Sequence, residues 1–419
     1  MLIEYGSVFI TLAVVLGLYM TWGIGANDVA NAMGTSVGSG AISIKQAIII
    51  AAIFEFSGAF IAGGNVTKTI RKGIIDPTPI LGNPEILVWG MLSSLLVAAL
   101  WLTVASWMGW PVSTTHSIIG AIVGFAMVGI GVDAVNWSKI GTIVISWVVS
   151  PMVGGTFSFL IMRSIQRFIL DTDRPFRNAQ RYAPLYIFFV GFLISLVTLF
   201  KGLKHLEIEL NIPQSFLVAL AFGSIIALIG RFLIDRLRMK EAESVHDQFT
   251  QIEKIFGVMM LFTACAMAFA HGSNDVANGI GPMAAVVSIV QSGGEMAQKS
   301  ALPLWILVVG GCGIILGLAT FGYRVLQTIG TKITELVPTR GFSAELAAAA
   351  TVVLASRTGI PVSTTHIAVG AVVGVGLARG IGALDLRVIG GIFMSWVITL
   401  PVGALLSIFF FFFFRGVFL

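Results

Sequence analysis

Two short polar motifs each occur twice in this chain, and both pairs sit among long apolar segments. Residues 25–32 read GANDVANA and residues 272–279 read GSNDVANG, while residues 111–116 and 361–366 both read PVSTTH. The copies lie 247 and 250 positions apart. The chain therefore consists of two related halves, each carrying an acidic, Asn-rich motif followed by a hydroxyl-rich one. An Asp inside an apolar segment is expensive unless it has a partner. Polar interruptions at matching positions of two halves point to the binding site of a membrane transporter.

Composition agrees. Of the 419 residues, 57% are hydrophobic and only 11% charged, less than half the share of about 25% found in soluble domains. This is the composition of a polytopic membrane protein. The 48 glycines suit membrane helices, where they let backbones approach closely. The start, MLIEYG, has no basic region ahead of its first apolar run, so no cleavable signal peptide is expected. The net charge of +5 is assigned to cytoplasmic loops; no nucleic-acid partner is expected. Cys265 and Cys312 fall within apolar runs and read as small hydrophobes.

Apolar stretches of about 18 residues or more are candidate spans. They lie near 5–24, 43–63, 86–107, 113–131, 138–162, 183–203 and 213–234, and the pattern restarts near 254–271, 302–322, 343–356, 363–378 and 386–414. The expected fold is an all-α polytopic membrane protein of about twelve segments, arranged five, two and five, with broken or re-entrant helices. The segments at 113–131 and 363–378 begin at a motif and read as arms of re-entrant hairpins or as spans. Seven crossings separate the two starts, an odd number, so the halves have inverted topology. The division is a first repeat over 1–170, two central spans and a polar linker over 171–252, and a second repeat over 253–419. Trp147 with Trp396 and Pro151 with Pro401 add to the duplication. Basic residues cluster at 163–181, 231–254 and 324–340, which the positive-inside rule places in the cytoplasm, with both termini outside. The run Phe409 to Phe414 reads as lipid-facing.

Gly25, Asn27, Asp28 and Asn31 close the first apolar run, and Gly272, Asn274, Asp275 and Asn278 close its counterpart. Gly eases departure from helical geometry, and backbone carbonyls released in lipid need a partner. Together with Asp and Asn oxygens they suit a hard cation. The expectation is therefore an unwound, cation-binding stretch at each copy. The alternative is an Asn/Asp network that only packs helices. In PVSTTH, Ser and Thr are preferred N-caps, and a helix N-terminus attracts anions. Two such termini from opposite sides would meet near the midplane, with hydroxyls of Ser113, Thr114, Thr115, Ser363, Thr364 and Thr365 as donors. His116 and His366 either join them or brace the hairpin. Glu55 and Glu345 are lone acids inside spans, without acidic counterparts in the other half, and are candidate proton or cation sites.

With these residues in place, the chain resembles the inorganic phosphate transporter family, the sodium- or proton-coupled phosphate symporters. The resemblance rests on GANDVANA, GSNDVANGIGP at 272–282 and the two PVSTTH copies, and covers nearly the whole chain apart from the two central spans. It implies phosphate uptake, an inverted-repeat helical fold in a cell membrane and frequently a homodimer. It points to Asn27, Asp28, Asn31, Asn274, Asp275, Asn278 and the Ser and Thr residues of both PVSTTH copies, and Glu55 and Glu345 look similar to acids important in the family. Taken with the reading of the residues, phosphate binding is expected at Ser113, Thr114, Thr115, His116, Ser363, Thr364, Thr365 and His366, and cation binding at Asn27, Asp28, Asn31, Asn274, Asp275, Asn278, Glu55 and Glu345. Sodium would be held by Asp28, Asp275, Asn27 and Asn274. The linker near 235–253 is short, as in compact prokaryotic relatives.

The leading reading is a sodium-coupled symporter for inorganic phosphate with no cofactor beyond its coupling ion. Alternatives are a proton-coupled phosphate or metal-phosphate carrier, or a carrier of another oxyanion such as sulfate, since hydroxyls and helix termini fit any tetrahedral oxyanion. An uncoupled channel is a further class. No ATP-binding Gly-rich loop, no His/Cys metal cluster and no soluble catalytic domain are seen, so an enzyme is not expected.

Overall fold

A computed structural model describes residues 2, 4–62, 70, 73–76, 78–80, 82–201, 210–237, 245–294, 303–327, 333 and 335–419, and the side chain of Asn31 lies outside the described residues. Twelve helices carry the architecture. They are α1 (Gly6–Gly38), α2 (Ile44–Ala62), α3 (Glu85–Met108), α4 (Thr114–Gly129), α5 (Trp137–Ile165), α6 (Pro175–Lys201), α7 (Ile212–Asp235), α8 (Val245–Gln291), α9 (Leu304–Phe321), α10 (Pro338–Arg357), α11 (Thr364–Arg379) and α12 (Leu386–Phe418). No strand forms among the described residues, only an isolated bridge between Ile75 and Val135. Nine of the described helices are long and apolar enough to cross a membrane, whereas α4 and α11 are shorter apolar helices.

The packing carries the duplication into three dimensions. Exchanging α1 with α8, α2 with α9, α3 with α10, α4 with α11 and α5 with α12 maps the main helix pairings onto themselves. Thus α1 packs on α9 and α8 on α2, α4 on α12 and α11 on α5, α3 on α12 and α10 on α5. The central pair α6 and α7 pack chiefly on each other, with α6 resting on α8.

Glycine fixes the crossings. A Cβ on Gly25 would strike the Ile314 carbonyl, and one on Gly272 the Glu55 carbonyl; Gly317 lies equally close to the Trp22 carbonyl and Gly58 to the Phe269 carbonyl. Between α4 and α12 the close approach is Gly120 on Leu400, and its counterpart is Gly370 on Pro151. Without a strong hydrophobic drive between helices in lipid, such backbone contact is what holds them together.

This corrects one expectation. Neither Asn-Asp motif is unwound: α1 runs unbroken through residues 25–32 and α8 through 272–279. The glycines there serve close approach and not helix breaking. The first turns of α8 also take up residues 245–253 of the expected linker.

The irregular backbone lies instead before each PVSTTH helix. Gly109 ends α3 with φ 69, and Gly359 follows α10 with φ 70, a left-handed conformation that glycine adopts without a Cβ penalty. The chain then returns as α4 or α11, packed on the helix just left. A helix of 16 residues rises about 24 Å, short of the ~30 Å hydrocarbon core. The pairs α3–α4 and α10–α11 are thus helical hairpins, each with one arm too short to cross by itself. Of the phenylalanine run, Phe409, Phe412 and Phe413 are exposed on the apolar outer face, while Phe411 and Phe414 are buried.

Candidate functional site

The four motifs converge. Ser113 and Ser363 are the N-caps of α4 and α11, each hydroxyl accepting the N–H of the His three residues on, 3.2 Å away. With these hydroxyls committed to capping, the threonines turn inward. Thr114 Oγ1 donates to Asp28 Oδ2, and Thr364 Oγ1 donates to Asp275 Oδ2 at 2.6 Å. Thr115 and Thr365 cross between repeats: Thr115 Oγ1 meets the Val362 carbonyl at 3.2 Å, and Thr365 Oγ1 meets the Val112 carbonyl at 3.1 Å. Thr365 also reaches Asp28 Oδ1 at 2.8 Å. These groups are all buried, so the two carboxylates sit in a dry centre built from both halves.

The asparagines divide. Asn274 Nδ2 donates to the Val362 carbonyl at 2.8 Å and to Asp275 Oδ1 at 3.0 Å, and Asn278 Nδ2 spans Thr114, Thr115 and Asp275 at 3.1, 3.2 and 3.3 Å. The Oδ1 atoms of Asn274 and Asn278 are buried and accept no hydrogen bond. An orphaned acceptor in a dry site carries a desolvation penalty that a bound cation removes. Asn27 differs from the expected cation ligand. Its Oδ1 accepts the Val112 N–H at 3.1 Å, and its Nδ2 donates to Ser106 and the Trp110 carbonyl at 3.1 and 2.9 Å. Both amide atoms are spent on tying α1 to the turn between α3 and α4. The expectation for Asn31 lies outside the described residues.

His116 and His366 are also placed differently from the phosphate-binding expectation. The His116 ring lies tilted against Trp147 and the His366 ring stacks on Trp396, each pair with centroids 3.6 Å apart, and the two imidazoles meet at 4.4 Å. His366 Nδ1 lies 3.1 Å from the Trp147 carbonyl. The reason is helical: residues two apart point to opposite sides, so when Thr114 and Thr364 face the carboxylates, His116 and His366 face away. They line an apolar cavity of about 870 Å³ between α5, α11 and α12.

The two lone acids occupy separate places. Glu55 faces the buried His271, whose Nδ1 lies 3.2 Å from Glu55 Oε1 while Nε2 lies 3.1 Å from Asp275 Oδ2. Glu55 therefore approaches the centre through an imidazole. Asp28, His271 and Asp275 offer one ligand atom each, all within 4.8 Å of one another. His271 is not singled out by the sequence reading; the available signal is the four-residue spacing from His271 to Asp275, one helix face. Glu345 is not brought to this centre. It accepts hydroxyl bonds from Thr35 (3.0 Å), Ser36 (2.8 and 2.9 Å) and Thr263 (2.5 Å). Thr35 lies seven residues beyond Asp28 on α1, a rise of about 10 Å.

Comparison with known proteins places the chain in a family. The sequence pattern of the Phosphate transporter family matches residues 24–407. The chain is similar to proteins described as "Putative phosphate permease" from Haemophilus influenzae, 50% identical with 99% of each chain covered, and from Pyrococcus abyssi, 46% identical with 95% and 96% covered. It is 44% identical to the chloroplastic inorganic phosphate transporter 2-1 of Arabidopsis thaliana, over 94% of this chain and 70% of that one. Its fold matches a solved structure titled "The sodium-dependent phosphate transporter" with a TM-score of 0.90 and 38% identity, covering 98% of this chain and 99% of the other. The chain belongs to the phosphate transporter family.

Proposed function

We propose that this protein is a secondary active symporter that carries inorganic phosphate inward with sodium, both held where the two repeats meet. The observation that carries the reading is the shared centre, in which Thr365 of the second repeat donates to Asp28 of the first. Asp28, Asp275 and the orphaned Oδ1 atoms of Asn274 and Asn278 supply the hard oxygen ligands an alkali cation takes. Thr114, Thr115, Thr364 and Thr365, with the N-terminal N–H groups of α4 and α11, supply donors for a tetrahedral anion. The solved relative described as sodium-dependent supports sodium as the coupling ion.

The hydrogen bonds also suggest how coupling works. Thr114 and Thr364 hydroxyls are held by the carboxylates. A cation on Asp28 and Asp275 takes up the same oxygen lone pairs and releases the hydroxyls toward phosphate. Sodium then tightens phosphate binding, and phosphate tightens sodium binding by the same factor. Thr364→Val keeps the shape and removes the donor. It should cost about 1–3 kcal/mol, a roughly ten- to hundredfold loss of phosphate affinity, read by calorimetry in saturating sodium. Unchanged affinity in both Thr114→Val and Thr364→Val would reduce the motif to capping.

The reading as a whole is tested by uptake of radiolabelled phosphate into proteoliposomes. An inward sodium gradient should drive accumulation, and excess sulfate should not compete. Accumulation driven equally by potassium, or blocked by sulfate, contradicts it.

Orientation follows from the basic segments. With the hairpins entering from opposite faces, residues near Arg174 lie in the cytoplasm and both termini outside. In a background lacking Cys265 and Cys312, a cysteine at position 2 should react with an impermeant reagent in intact cells, and one at position 177 only after permeabilisation. Labelling of both from one side refutes the parity.

A further inference from the structure

The cavity behind the two hairpin N-termini has an apolar wall and a polar inner end. It lies between α5, α11 and α12, and its volume of about 870 Å³ reaches inward to His116 and His366. We propose that it binds a long-chain fatty acid drawn from the membrane, with the neutral carboxylic acid group on His366 and Trp396 and the hydrocarbon chain along α5 and α12. The site is separate from the carboxylate centre, which Thr114 and Thr364 face and the two histidines do not.

The polar end is a row of four buried rings. Trp147, His116, His366 and Trp396 follow one another with centroids 3.6, 4.4 and 3.6 Å apart. Pro151 sets the row. A proline has no N–H for the carbonyl four residues back, which leaves the Trp147 carbonyl to His366 Nδ1 at 3.1 Å. A carbonyl only accepts, so Nδ1 carries the proton and the neutral ring presents Nε2 as a bare acceptor. That Nε2 is buried and has no hydrogen-bond partner among the described residues, and the same holds for the indole Nε1 of Trp396 and of Trp147. An acceptor and a donor therefore stand on two stacked rings. A carboxylic acid matches the pair, with an O–H to give and a carbonyl to accept.

The outer end opens on lipid. Val148, Met152, Phe393 and Val397 line the cavity and are exposed, and Val148 and Met152 flank the middle of α5. At that depth the surroundings are hydrocarbon, where a charged head group is costly. A chain gains little by leaving lipid for an apolar wall, because lipid tails are as apolar as leucine. Selection therefore falls to the head group, whose hydrogen bonds meet no competing water. An ester keeps the carbonyl, loses the O–H and leaves Nε2 unmatched. Phospholipid chains carry only esters, so the free acid is the membrane component that fits.

The test uses the protein in proteoliposomes and a fatty acid bearing a photoreactive diazirine on its chain. Irradiation should attach it saturably to the cavity residues of α5, α11 and α12, read by mass spectrometry of the digested protein. Oleic acid should compete at a concentration at least tenfold lower than methyl oleate. Trp396→Phe keeps the stack and removes the indole N–H, and should weaken labelling about five- to tenfold. Val397→Trp fills the mouth and should reduce labelling at least fivefold. Leu228→Trp, on the exposed face of α7, should label as the parent does.

Thermal melts establish that each variant is folded, and the comparison of acid with ester needs no variant at all. Labelling spread evenly over the lipid-facing helices, unsaturable and untouched by Val397→Trp, overturns the proposal. Equal competition by methyl oleate overturns it too, since the polar end then selects nothing. A second copy of this chain seated on the same face is a third contrary result: Val397→Cys would cross-link between copies and the fatty acid would leave the cavity residues unlabelled. None of these measurements involves transport, so a failure of sodium-driven uptake strikes the functional reading and not this one.

Discussion

Asp275→Asn abolishes sodium-driven phosphate uptake while leaving the protein folded and inserted, and Asp28→Asn does the same. Each change keeps the volume and removes one of the two charges at the centre. A buried charge left without its counterpart costs about 3–5 kcal/mol, which corresponds to a roughly hundred- to thousandfold or greater loss at each tenfold per 1.4 kcal/mol. Thr364, Asn274, Asn278 and His271 all reach Asp275, and Thr114 and Thr365 reach Asp28. The measurement is initial uptake rate in proteoliposomes against sodium concentration, with the folded fraction read by size exclusion. Parental rates with parental sodium dependence in either variant remove that Asp from the cation site.

Gly272→Ala destabilises the protein and eliminates uptake, although the added group is a single uncharged methyl. The new Cβ would meet the Glu55 backbone carbonyl, which cannot swing aside as a side chain can. Helix α8 must move off α2, at a cost of about 1–3 kcal/mol or more for overpacking. That movement also separates Glu55 from His271. Gly257 lies on the same helix with open space around its Cβ position, so Gly257→Ala is the control. Thermal unfolding in detergent should show a drop of several degrees for the first and no drop for the second. Equal melting temperatures and equal uptake would mean that the helix contact does not organise the site.

Much of this was legible in the sequence because it depends on order and repetition. The two motif pairs gave the halves, the odd number of crossings gave their inversion, and the Ser/Thr run before each short apolar segment gave the hairpins whose N-termini meet. What stayed hidden depends on partners far away in sequence. A glycine needed to unwind a helix and a glycine needed to let another helix approach read alike, and only Ile314 against Gly25 and Glu55 against Gly272 show which applies. Asn27 and Asn274 occupy matching positions, yet the first is spent on the turn of a hairpin and the second retains a free oxygen. That difference arises from the backbone N–H of Val112, which donates to Asn27 Oδ1 and has no signature in the sequence. His271 was passed over because Glu55, which gives it meaning, lies in another repeat. Glu345 was grouped with the cation ligands as a buried acid, but its hydroxyl partners Thr35, Ser36 and Thr263 hold it away from Asp28 and Asp275.

The central claim is that one centre, built from both repeats, binds sodium and phosphate together. Its most direct test is simultaneous measurement of radiolabelled sodium and phosphate entering proteoliposomes. The account predicts that the two enter in fixed proportion, that neither accumulates without the other, and that both fluxes vanish together in Asp275→Asn. Phosphate accumulating at the parental rate without sodium, or sodium entering undiminished in that variant, would contradict it.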